Sequence, residues 1–190
     1  MSGERRPGRP RSEESRGAIL AAALEGLREH GFAALTIEGI AGRAGVGKQT
    51  IYRWWPSKAD VVLDALLDQA EETIRVPDEG SLRADLTAFL GATFRQTHQR
   101  PVLVGLMGQA LLDPGFALAF RERFLFRRRG TLRELFDRAI SRGEIAAGVD
   151  PELLVDVVYG VLWYRLMLDH APLDGAASRQ LTELVLRAVR

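Results

Sequence analysis

Apolar residues recur along this chain at intervals of three and four from near its start to its end, and strict alternation appears nowhere, so the pattern predicts an all-α protein. Ile19, Leu20, Ala23, Leu24 and Leu27 share one face of a first helix, expected from about Glu13 to His30 and ended by Gly31. Thr36 is a good N-cap for a second helix: its hydroxyl can accept from the Glu38 or Gly39 amide while Ile37, Ile40, Ala41 and Ala44 turn inward. Gly45 permits the turn that follows. After Val46, a short third helix buries Ile51 and an indole of Trp54 or Trp55 and carries Lys48, Gln49, Thr50, Tyr52 and Arg53 outward, until Pro56 stops it. A fourth helix from Ser57 has Val61, Val62, Ala65, Leu66 and Ala70 on its apolar face and Asp60, Asp64 and Asp68 on the other.

Residues 76–81, VPDEGS, break the periodicity and mark a domain boundary. Beyond it, helices are predicted over about Leu82–His98, Val102–Leu112, Gly115–Arg142, Pro151–His170 and Ala176–Val189, with Gly143 and Gly148 stopping one run and Asp150 and Pro151 starting the next. The expected architecture is a three-helix helix-turn-helix module with its coupling helix over residues 13–75, joined to a helical bundle over 76–190, about nine helices in all.

The outward face of the third helix is chemically mixed. Lys48 and Arg53 can pair with phosphates, Thr50 and the Tyr52 hydroxyl can hydrogen-bond phosphate oxygens, and Gln49 can make a two-point contact to an adenine edge. The alternative is a solvated helix pair with incidental charge, which leaves that combination of residues unexplained. Gly42, Gly47 and Lys48 also fit the opening of a nucleotide-cradling loop, GxxxxGK[ST]. That reading fails on Gln49, which stands where a magnesium-holding hydroxyl is needed, and on the helical segment that precedes it.

Charge points the same way. Residues 1–58 hold ten Lys/Arg against six Asp/Glu, a net +4 in a chain whose overall charge is +1, so the basic excess lies at the DNA-binding end. Residues 1–12 are too polar and too rich in Pro and Gly to fold alone and are expected to form a basic arm. Arg6, Arg9 and Arg11 around a Gly-Arg-Pro centre suit either a minor-groove contact to AT-rich DNA or a solubilising tail. There is no cysteine, no secretory leader and no uncharged run long enough for a bilayer, so the expected setting is the cytoplasm, without membrane.

Residues 46–58, from Val46 through Lys48, Thr50, Ile51, Tyr52, Trp55 and Pro56 to Lys58, follow nearly position by position the turn and recognition helix of the TetR family of bacterial transcriptional regulators. The likeness extends back through His30, Gly31, Phe32, Leu35, Thr36 and Ile37 and covers about residues 13–75. The resemblance implies that Thr50, Tyr52 and Lys58 meet backbone phosphates and that Lys48, Gln49 and Arg53 approach bases or neighbouring phosphates. Gly47 departs from the frequent Ser, which removes a hydroxyl cap from the recognition helix. Asp113–Phe116, Arg142–Glu144 and Gly160–Arg165 carry a looser likeness to the ligand-binding and dimerisation domain of the same family.

That likeness implies a homodimer built from helices about 151–170 and 176–189, with Leu154, Val157, Val158, Val161, Leu162, Leu181, Leu184 and Val185 as its expected face. A two-fold protein would present two recognition helices about 34–36 Å apart to a near-palindromic double-stranded operator. A small-molecule effector of unstated identity would release it, with Phe89, Phe94, Met107, Phe120, Tyr159, Trp163 and Met167 as candidate pocket residues, positions equally suited to plain core. Arg121, Arg123, Arg127, Arg128, Arg129, Arg133 and Arg138 suit an anion-binding surface or, more simply, an amphipathic helix paired with Glu122, Glu134 and Asp137. No catalytic group, metal or cofactor is expected: His30, His98 and His170 stand alone, His30 serving the dipole at the end of the first helix, and no nucleophile elbow or carboxylate pair presents itself.

Overall fold

The structure, a computed structural model, describes residues 9–71, 76–95 and 100–190, with side chains described from residue 13 and, in the first stretch, to residue 68. Arg6, His98 and the side chains of Arg9, Arg11 and Ala70 lie outside the described residues. The chain is helical throughout, without a strand among the described residues, and falls into two compact units, Met1–Glu71 and Glu72–Arg190.

In the first unit α1 (Arg9–Ala34) packs against α2 (Ile37–Ala44) and α4 (Lys58–Glu71), and the short α3 (Lys48–Tyr52) leans on α2. α1 starts four residues before the predicted Glu13, and its regular helix ends where predicted. Gly31 sits at φ 74°, and a short turn carries the chain on to Ala34. Thr36 caps α2 as its sequence foretold, accepting the Gly39 amide at 3.0 Å. Gly45, at φ 65°, closes α2 and turns the chain into α3. Ile19, Ile40, Ile51, Val61 and Val62 are fully buried together with Trp55, so Trp55 is the inward indole and Trp54 stays partly exposed. The Trp55 Nε1–H donates to Asp64 at 2.8 Å, satisfying a buried donor that would otherwise weaken this core. Ser57 and Asp60 form a reciprocal cap on α4: Asp60 accepts from the Ser57 amide and hydroxyl.

The second unit is built from α5 (Leu82–Arg95), α6 (Arg100–Leu112), α7 (Pro114–Phe120), α8 (Phe126–Ser141), α9 (Pro151–Leu168) and α10 (Gly175–Ala188). α7 and α8 form one rod, joined by a five-residue π-helical turn, Arg121–Leu125, that the residue pattern did not announce. Its core gathers Leu86, Phe89, Leu90, Leu135, Phe136 and Val155 from α5, α8 and α9, closed by Leu181 and Val185 of α10. Asp113 and Asp150 cap α7 and α9, each followed by Pro at the first helical position, and Asp174 caps α10. Two polar clamps fix the ends of these helices. The Arg100 Nε–H donates to the Leu166 carbonyl at 2.7 Å, tying α6 to the end of α9. Asp85, with no exposed surface, accepts from the Glu79 amide and from Arg142 at 2.9 Å, while Glu144 accepts the Leu82 amide at 2.7 Å. The Arg142–Glu144 segment is thus a strap across the start of α5.

Candidate nucleic-acid interface

Ile51 anchors α3 from below, with no exposed surface, and its carbonyl accepts the Trp54 and Trp55 amides, so the recognition helix ends on the indole it is packed beside. That anchoring turns Gln49, Tyr52 and Arg53 outward, Tyr52 half exposed, with Thr50 at the margin. Gln49 and Arg53 make no side-chain hydrogen bond or ion pair with a described residue, leaving a two-point donor-acceptor amide and a guanidinium on one short helix. Gly47 is the N-cap of α3 and offers no side-chain acceptor, as its identity implied; its carbonyl accepts the Thr50 amide at 2.9 Å. Thr36 spends its hydroxyl on capping α2.

The two lysines behave differently. Lys48 Nζ reaches back to Glu38 of α2 at 2.9 Å, an exposed pair in which hydrogen bonding to Lys48 lowers the Glu38 pKa and hydrogen bonding to Glu38 raises that of Lys48. A phosphate at Lys48 would therefore displace Glu38, a neighbour in the first turn of α2 that sequence reasoning missed. Lys58 does not project freely either. Its ammonium donates to the carbonyls of Phe32 (2.9 Å), Ala33 (3.2 Å) and Leu35 (2.8 Å) and lies 4.9 Å from the Phe32 ring centroid. In this structure the residue expected on phosphate is a C-terminal cap for α1. His30, read as a dipole partner at the end of the first helix, sits at the surface there beside Glu29 and Arg43.

The residues expected in an effector pocket are dispersed through the second unit. Phe89 and Phe94 are packed in its core, and Phe120 is fully buried in a column with Phe116 and Phe124. Met107 and Met167 are half-buried on α6 and α9. Tyr159 and Trp163 alone among the seven line a groove of about 870 Å³ between α8 and α9. The expected dimer face divides in the same way. Leu154, Val158, Leu162, Leu181 and Val185 are buried in the subunit's own core, because α8 and α5 cover those faces of α9 and α10. Val161 is half-buried, and Val157 and Leu184 remain exposed. Beside Val157, α9 exposes Leu153, Tyr164 and Leu168, a stripe displaced from the residues first named. Of the arginine series, Arg129 pairs with Glu152 and Asp156, and Arg133 with Asp137 and Glu152, so their partners come chiefly from the facing helix.

Nothing in this arrangement suits the nucleotide-loop alternative: Gly42 is inside a helix, Lys48 is paired with Glu38, and no strand feeds the turn among the described residues. No described helix is long and apolar enough to cross a membrane. Residues 19–65 match the model of bacterial regulatory proteins of the tetR family, and residues 76–185 match that of the tetracyclin repressor-like C-terminal domain. The chain is 36% identical over 185 residues to the HTH-type transcriptional regulator YdeS of Bacillus subtilis, covering 96% of this chain and 93% of YdeS. It is 32% identical over 179 residues to a DNA-binding transcriptional repressor TetR of Mycobacteroides abscessus, covering 93% and 94% of the two. Its fold superposes on the crystal structure of the TetR family transcription regulator SCO0332 with a TM-score of 0.78 and 37% identity, over 93% of this chain and 99% of the other. With both units matched and the recognition helix in place, the chain belongs to the TetR family: it is a DNA-binding transcriptional regulator and not an enzyme.

Proposed function

We propose that this regulator is a homodimeric repressor of a near-palindromic double-stranded operator, released by a small-molecule effector held in residues 76–190. The observation that carries the DNA reading is a pair of exposed polar side chains, Gln49 and Arg53, with no partner among the described residues, on a helix fixed by Ile51. In this reading Gln49 reads a base edge, Arg53 reads a base or holds a phosphate, and Thr50, Tyr52 and Lys48 fix the register on the backbone. Residues 1–12 add affinity for AT-rich flanks. A second copy packs on the stripe Leu153, Val157, Tyr164 and Leu168 with Leu184, an apolar surface that is costly to leave in water. Two-fold symmetry then sets two recognition helices on successive faces of the major groove. Repression is favoured by kinship to a protein named as a repressor. The effector acts only through its differential affinity for the DNA-competent and released states.

The test is fluorescence anisotropy of the purified protein against the DNA upstream of its own gene and a scrambled duplex of equal length, at two salt concentrations. Preference for the upstream duplex with a steep salt dependence is expected. Equal binding to both would refute specific recognition of that site.

A further inference from the structure

We propose that Glu38 is a specificity-determining residue of this regulator: at the operator its carboxylate accepts the N4 amine of a cytosine in each half-site. The proposal deepens the operator reading above and rests on it for the approach of α3 to the major groove.

The first turn of α2 and the start of α3 lie side by side. Glu38 follows the Thr36 cap by two residues, Lys48 is the first residue of α3, and the Glu38 Oε1 accepts from Lys48 Nζ at 2.9 Å. In a helix-turn-helix the N-terminal residues of the recognition helix meet the base edges. A side chain in hydrogen-bond contact with that end reaches the same edges, although it belongs to the other helix. The Glu38 side chain is 63% exposed. The exposed positions nearest it on α2, Gly39 and Gly42, carry no side chain that could screen it. A Cβ at Gly42 would meet nothing within 4 Å, so packing within the module does not demand a glycine there.

A carboxylate is an unfavourable group to carry on a DNA-binding tip. Every phosphate repels it, so an exposed Glu weakens binding to all sequences alike unless a base supplies a donor. Hydrogen bonding to Lys48 holds the Glu38 pKa below the ordinary carboxylate value, so the group stays ionised and can only accept. In the major groove guanine offers N7 and O6 and thymine offers O4 and a methyl group, none of them a donor, while adenine sets its N7 acceptor beside the N6 amine. Cytosine alone presents an amine with no acceptor of its own beside it, the pairing to which Glu is suited. The contact with Lys48 sharpens the choice. When Lys48 passes to a phosphate, as the operator reading has it, Glu38 loses the cation that neutralises it, and a cytosine amine replaces the lost hydrogen bond. At any other base that replacement is missing or opposed. A phosphate attraction that carries no sequence information is thereby tied to one base.

Selection by the full chain from a randomised duplex library, followed by fluorescence anisotropy on the selected duplex, tests the assignment. The parent protein should select cytosine at one position of each half-site, and replacing that C·G pair by T·A in one half-site should weaken binding about tenfold. Glu38→Gln keeps the length and exposure of the side chain, and a Gln amide pairs with adenine N6 and N7. The variant should therefore lose the cytosine at that position in favour of adenine and keep every other position. Lys48→Met should lower affinity for all sequences and leave the cytosine in place, which separates Glu38 from a lysine reading the paired guanine. If no position at which the parent selects cytosine changes in Glu38→Gln, Glu38 only restrains Lys48 and the proposal is overturned. It is overturned as well if Lys48→Met erases the cytosine. In both cases a parent that selects a defined site leaves the operator reading standing, whereas a parent that selects no sequence refutes that reading together with the proposal.

Discussion

Sequence likeness puts Lys58 on a backbone phosphate, while in the structure its ammonium is held by three carbonyls at the end of α1. Replacing it with Met keeps the aliphatic stem and removes the ammonium, and with it three donor contacts of 2.8–3.2 Å to the Phe32, Ala33 and Leu35 carbonyls. Each charge-assisted hydrogen bond contributes about 1.5–3 kcal/mol when sheltered, but Lys58 is only half-buried and water replaces part of what is lost. A net cost of about 2 kcal/mol is expected, equal to about a thirtyfold change in a local opening equilibrium. Hydrogen-exchange mass spectrometry of the full chain should therefore show α1 peptides ending near Leu35 exchanging about thirtyfold faster, with α5–α10 unaffected. If Lys58 leaves phosphate alone, the salt dependence of operator binding keeps its slope. Unchanged exchange in α1, with a slope shallower by about 1.8 for one phosphate in each of two copies, would refute the capping role and restore the phosphate contact.

Four further outcomes are expected. Glu38→Gln frees Lys48 for phosphate, so binding to scrambled DNA strengthens and its salt slope steepens by about 0.9 per recognition helix in anisotropy titrations. Asp85→Ala strips a fully buried carboxylate from the Glu79 amide and Arg142, and should cost about 3 kcal/mol of stability in chemical denaturation, whereas Asp78→Ala, at the exposed edge of the same cluster, costs under about 1 kcal/mol. Burial raises the Tyr159 pKa from 10.0 to about 12, so the folded state binds the phenolic proton more tightly than the unfolded one. The stability this confers is complete below pH 10 and lost as pH rises toward 12; denaturation midpoints from pH 9 to 12 should fall less steeply in Tyr159→Phe. Val157→Arg places a charge in the exposed α9 stripe proposed as the dimer face, and sedimentation velocity is expected to show a dimer for the parent protein and a monomer for the variant.

What could be read from sequence divides by the range of the forces involved. Helices, caps and turns are local: Thr36, Asp150 and Gly45 do what their side chains and backbone freedom dictate within four residues, and each stands where it was expected. The recognition helix was legible for the same reason, since Ile51, the polar series from Lys48 to Arg53 around it and the stop at Pro56 fit one short helix and no other element. The misses are contacts that cross between elements. The Lys48–Glu38 pair spans ten residues, the Lys58 cap about twenty-five and the Arg142–Asp85 strap fifty-seven; no periodicity encodes such a pairing.

The face proposed for a second copy differs from the residues expected for it, and packing supplies the reason. α9 is apolar nearly all round, so its sequence offers two candidate faces about a third of a turn apart and nothing local to choose between them. Packing chooses: α8 covers Leu154, Val158 and Leu162, and the remaining apolar positions, Leu153, Val157, Tyr164 and Leu168, become the surface. The same logic locates the groove. Glu152 and Asp156 are taken by Arg129 and Arg133 of the facing helix, which follow a π-helical turn that no residue pattern foretells. The pairing of α8 with α9 thus depends on the feature least visible in the sequence: the register shift that sets an arginine helix against an aromatic one.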